Sequence, residues 1–161
     1  MISLREEFSN YHMMKYLLLA LTFLSVFSFT GIAQTNDKKP TMTKFLIHVT
    51  TGKDNPTKAA LAFLVAKTAL EDGHEVQLFL AGDAVLLLKD EVLNEVTGLG
   101  TGKLSDHYKV IVEKGGKFFL SGNSSKARNL TEEDLKGKPA VFALPNVLVK
   151  LAAESDKVFT Y

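Results

Sequence analysis

Cysteine is absent from all 161 residues. That absence excludes disulfides, zinc–thiolate sites, iron–sulfur ligation and every thiol nucleophile. An excess of one charge is also missing: the net formal charge is +1, which argues against a binder of the nucleic-acid backbone, since such a protein needs a basic face. Internal repeats and low-complexity tracts are absent, and past Phe29 no long apolar run occurs. What remains is 46% hydrophobic and 23% charged, the composition and length of one ordinary globular domain.

The first thirty-three residues read as a targeting segment. Lys15 supplies a positive start, Tyr16–Phe29 is almost wholly apolar, and Gly31 and Ala33 occupy the −3 and −1 places of a small-residue cleavage site. The apolar run is short for a membrane span, which needs about 20 residues. Residues 1–33 are therefore read as an N-terminal extension plus signal peptide, with translation starting at Met1, Met13 or Met14, and residues 34–43 as a short polar linker. The expected localisation is export, periplasmic or secreted, with no membrane attachment after cleavage. The alternative is tethering by an uncleaved anchor, and intact mass separates the two. Removing residues 1–33 takes Arg5, Lys15, Glu6 and Glu7, so the net charge stays +1 and Arg128 becomes the sole arginine. In an oxidising compartment the core must then hold the fold without disulfides.

Short apolar runs alternate with helical patterns along the rest. Lys44–Val49, Glu75–Ala81, Lys117–Leu120, Ala140–Leu144 and Val158–Tyr161 read as strands. Asn55-Pro56 opens a helix with Ala59, Phe63, Ala66 and Leu70 on one face and Gly73 at its C′ position. Gly82-Asp83 turns into a second helix ending near Gly98, with Asp83 as its N-cap. Leu104, Tyr108 and Ile111 mark a third helix closed by Gly115-Gly116. Thr131–Asp134 is a capping-box start for a short helix stopped at Gly137, and Val147–Ala153 is the last helix. Alternation of this kind predicts an α/β fold with a mostly parallel sheet covered on both faces.

Chemistry in such a fold belongs outside the carboxyl ends of the strands. Gly98–Lys103 is glycine-rich, but a P-loop would need glycine at Thr97 and serine or threonine at Leu104, so it reads as a flexible helix-to-helix connection. A serine-hydrolase elbow fails at Lys126 and at Phe119, where glycine would be required. His48, His74 and His107 lack i, i+4 pairing and an acidic cluster, so neither a metal nor a cofactor is expected. His48, near the end of the first strand, is placed to face a pocket or to be satisfied structurally. Asp83 is a cap or a catalytic base, and Arg128 an anion clamp or a surface ion pair.

Four stretches together resemble the DsrE/DsrF-like sulfur-relay family: Phe45–Gly52 (FLIHVTTG), Asn55–Ala60 (NPTKAA), Leu78–Asp83 (LFLAGD) and Phe119–Arg128 (FLSGNSSKAR). The resemblance runs from Lys44 to Tyr161. It implies a three-layer α/β/α sandwich with a five-stranded mostly parallel sheet, and subunits that assemble into trimers or hexamers. Thiol-bearing members carry sulfur as a persulfide in a stretch patterned Cys-Gly-x-Cys-x-x-Ala-Arg. Here both cysteine places are serine, Ser121 and Ser124. A hydroxyl needs an adjacent base to act as a nucleophile and forms no persulfide, so sulfur transfer through this chain's own side chains is not expected.

The remaining candidate pocket comprises His48, Thr50, Thr51, Gly52, Asn55, Asp83, Ser121, Gly122, Ser124, Ser125 and Arg128, with free N–H groups anticipated at Ser124-Ser125. Three readings follow: a non-enzymatic binder of a small anionic ligand or a partner protein, an assembly subunit, or an enzyme using Ser121 or Asp83.

Overall fold

The computed structural model describes residues 41–161, so the signal-segment reading lies outside the described residues. In chain order the elements are β1 (Lys44–Val49), α1 (Pro56–Glu71), β2 (Glu75–Leu80), a 3₁₀ segment (Gly82–Leu88), α2 (Asp90–Glu95), β3 (Thr97–Gly98), β4 (Gly102–Lys103), α3 (Leu104–Glu113), β5 (Lys117–Ser121), α4 (Gly122–Ala127), a 3₁₀ turn (Glu133–Leu135), β6 (Ala140–Ala143), α5 (Pro145–Glu154) and β7 (Lys157–Thr160). No helix among them is long and apolar enough to cross a membrane.

The five long strands form one sheet, ordered β6-β5-β2-β1-β7, with every neighbour pair parallel. Handedness then distributes the helices. From β1 through β2 and β5 to β6 the chain steps in one direction, so right-handed crossovers place all the intervening elements on the same face. Only the return from β6 to β7 runs the other way, which sends α5 alone to the second face. The packing follows: Ile47, Phe63, Leu78, Leu87, Leu104, Ile111 and Phe118 belong to a large core on the first face, whereas Leu46, Phe79, Ala143 and Leu151 form a small one under α5.

Local chemistry explains the ends of the elements. Asn55 caps α1, its Oδ1 accepting from Lys58 N at 3.1 Å, and Pro56 loses only an N–H that would have been unpaired. Asp134 reaches back to Thr131, accepting its N–H at 2.7 Å and its hydroxyl at 3.0 Å, and these bonds hold the Asp134 carboxyl below its ordinary pKa.

Two expectations are corrected. The helix expected over Gly82–Gly98 breaks at Lys89, whose backbone is extended, into a 3₁₀ segment and the short α2. Ala84 and Leu87, and Val85 and Leu88, are buried at a spacing of three, the repeat of a 3₁₀ helix. Ion pairs Lys89–Asp134 (3.4 Å) and Asp90–Lys138 (2.9 Å) fasten the break. Likewise, Gly98–Lys103 is no loose connection but a β3–β4 hairpin seated on α1, where Thr57 Oγ1 accepts from Leu99 N at 3.0 Å. Gly98 is buried against Thr57 and Ala60, and Gly100 and Gly102 take the positive φ that the turn needs.

Candidate functional site

The loops at the carboxyl ends of β1, β2 and β5 meet around α4. Ser121 caps this helix, its Oγ accepting from Ser124 N at 3.3 Å. The Ser124 N–H anticipated as free is thus engaged, and α4 begins at Gly122 instead of at Ser124. Ser124 Oγ in turn accepts the N–H of Gly82 at 3.0 Å, tying α4 to the turn after β2. Gly82 adopts φ +55°, a conformation that a side chain would strain.

Arg128 closes the same corner. Its Nε and Nη2 each lie 2.8 Å from Asp83 Oδ1, and Nη1 donates to the Ser124 carbonyl at 3.2 Å. Asp83 is therefore not an N-cap; Ala81 occupies that place, and the carboxylate spends its charge on Arg128. Of the two roles weighed for Arg128, the ion pair is the one present. Gly52 makes room for it, since a Cβ there would lie 2.8 Å from Asp83 Cβ and 3.1 Å from Asp83 O. Gly52→Ala is expected to push Asp83 away, loosen its pair with Arg128 and cost about 1–3 kcal/mol. A urea melt checks this, and an unchanged midpoint would refute the role given to Gly52.

His48 does not join this corner. It pairs in register with Phe79, and Phe79 with Phe119, while Ser121 lies two residues further along β5. Two strand spacings, roughly 10 Å of sheet, therefore separate the imidazole from Ser121. The ring packs edge-on against Phe79, centroids 6.1 Å apart, and burial lowers its pKa below 6.5. Folding therefore favours neutral His48: the contribution is complete above 6.5 and is lost as pH falls toward the lowered folded value. His48→Gln is expected to flatten that part of the stability-versus-pH curve; an unaltered curve would exclude His48 as its source.

Thr50 latches β7, its N–H and hydroxyl both donating to the Tyr161 carbonyl at 2.9 and 3.1 Å. Asn55 is occupied by its cap, and Thr51 opens the β1–α1 loop without a hydrogen bond of its own side chain among those described. Neither serine hydroxyl is hydrogen-bonded to a carboxylate or imidazole among the described residues, and no group of three or more acidic or histidine side chains there could hold a metal.

On the other flank of α4 a hollow of about 250 Å³ is lined by Gly122, Ser125, Lys126, Leu130 and Phe142. Gly122 and Ser125 were legible as candidates; Lys126, Leu130 and Phe142 were not, because only the pairing of β5 with β6 brings Phe142 beside α4.

A parallel three-layer α/β/α domain with a capped serine turn after β5, the third strand of its main sheet in chain order, defines the class of protein. The chain belongs to the DsrE/DsrF-like family, whose sequence profile matches residues 43–161. It is 36% identical over 110 residues to an uncharacterized protein, MK0008, of Methanopyrus kandleri, covering 65% of this chain and 82% of that one. Over 121 residues it is 30% identical to the uncharacterized protein MJ0989 of Methanocaldococcus jannaschii, covering 73% and 99%. Among solved structures, the ychN protein from E. coli superposes with a TM-score of 0.60 at 15% identity, covering 74% of this chain and all of that one. The protein MTH1491 from Methanobacterium thermoautotrophicum gives 0.57 at 14% identity, covering 74% and 99%. These two likenesses establish the fold.

Proposed function

We propose that this DsrE/DsrF-like chain is an exported binding protein that does not relay sulfur on its own side chains. It holds a small, anionic ligand or a partner protein at the α4 turn and works as a homo-oligomer, trimeric or hexameric. The observation that carries this reading is the bonding of the two serines: Ser121 Oγ and Ser124 Oγ each accept a backbone N–H, and neither is hydrogen-bonded to a base among the described residues. A hydroxyl so placed braces the turn and is not activated for attack.

An assembly role is favoured by a separate observation. Val141 and Leu144, on and just beyond the edge strand β6, are 54% and 62% exposed, and Val149 on α5 is 69% exposed. Large apolar side chains left in water beside a thinly covered sheet face suit burial between copies.

Native mass spectrometry of the protein from its own host tests both. The expected result is an oligomer without added sulfur that retains a small molecule. A sulfur adduct on this chain would return it to the relay, and a bare monomer would overturn the binding and assembly readings together.

A further inference from the structure

We propose that the hollow between α4 and β6 binds a small organic monoanion with an apolar body, a short-chain or aromatic carboxylate. The inference deepens the binding role above and rests on it. Topology places the hollow. The connection leaving β5 goes to the first face of the sheet and the connection leaving its neighbour β6 goes to the second, so the two diverge at their carboxyl ends. In an open parallel sheet that divergence opens the crevice in which ligands sit. Gly122 begins the segment that departs from β5, and Phe142 lies within β6 on the first face of the sheet, so the hollow sits on the first-face side of that divergence.

Its chemistry selects the ligand. Gly122 has no conformational reason to be glycine: its φ is not positive, and a Cβ would make only ordinary contact, 3.6 Å from the Ala143 carbonyl. The missing side chain leaves room instead. Leu130 and Phe142 supply apolar walls. Lys126 supplies the charge, since its ammonium has no carboxylate partner among the described residues, unlike Lys53, Lys89, Lys136, Lys138 and Arg128. Ser125, 2% exposed, backs the hollow with a side chain whose Oγ is sealed from solvent, so it shapes the wall and leaves the charge recognition to Lys126. A volume of about 250 Å³ gives the room of about eight water molecules, enough for a carboxylate of six or seven carbons.

Isothermal titration of the protein with hexanoate and benzoate, against sulfate and neutral benzyl alcohol, tests the proposal. At least one carboxylate should bind saturably and more tightly than benzyl alcohol or sulfate. Lys126→Gln should weaken that binding about tenfold, and Gly122→Val, which fills the hollow, should abolish it. The exposed control Lys109→Gln should change nothing. Absence of saturable binding by both carboxylates, equal binding of benzyl alcohol, or full binding in Lys126→Gln and Gly122→Val would overturn the site. Failure of the titration beside a retained small molecule in the native mass spectrum would remove this hollow and leave the binding role intact.

Discussion

Ser124→Cys is expected to give a chain that takes up one sulfur atom from polysulfide, whereas the unaltered protein takes up none. The donor's terminal sulfur is transferred to the new thiolate, an S–S bond in the donor breaks, and the shortened donor leaves as its own thiolate. Position 124 is prepared for the negative charge by the Gly82 N–H, which points at its side-chain atom from 3.0 Å, while the charge of Arg128 is met by Asp83. A hydrogen bond to the charged form lowers a thiol pKa. At position 121 the side chain receives only the longer 3.3 Å contact from within its own turn. The Ser124→Cys thiol should therefore react with iodoacetamide at neutral pH about tenfold faster than that of Ser121→Cys, equivalent to about one pKa unit. Equal rates, or sulfur on Ser121→Cys alone, would show that the N–H of Gly82 does not prime position 124 for a thiolate.

Strand order of residues and the major helices were legible because each rests on a local signal: β-branched apolar runs at 44–49 and 75–80, the Asn55-Pro56 start, and the Thr131–Asp134 box. The hairpin at Thr97–Lys103 was not, because Gly98 is explained by contact with Thr57 and Ala60, about forty residues earlier, and Leu99 is held by Thr57. For the same reason Asp83 read as a cap. Its partner Arg128 lies forty-five residues away, and only the pairing of β2 with β5 brings them together. The candidate site was thus half visible. Ser121, Gly122, Ser124 and Arg128 stand in one stretch, while Phe142 enters through sheet order, which no local pattern encodes. His48 carries two readings from its strand position, a pocket or a structural place, and its separation from the serines comes only from register, which sets Phe79 between them.

The uneven dressing of the two sheet faces should appear as a large difference between neighbouring phenylalanines on β5. Phe118 faces the crowded side, 1% exposed, with the rings of Phe63 and Tyr108 at 5.8 and 5.4 Å. Truncating it leaves a cavity between α1, α3 and the sheet, and Phe118→Ala is expected to cost about 3–5 kcal/mol. Phe119 faces the side that α5 covers alone and is only partly buried, so Phe119→Ala should cost roughly 1–2 kcal/mol in the monomer. Urea melts reading a shift in midpoint at constant slope measure both. Equal losses at low protein concentration would mean that the second face is packed as tightly as the first. Concentration then separates folding from assembly: burial of the second face between copies stabilises only the associated state, so the Phe119→Ala loss should grow as protein concentration rises while the Phe118→Ala loss stays fixed. A Phe119→Ala loss that ignores concentration would place any contact between copies elsewhere than on this face.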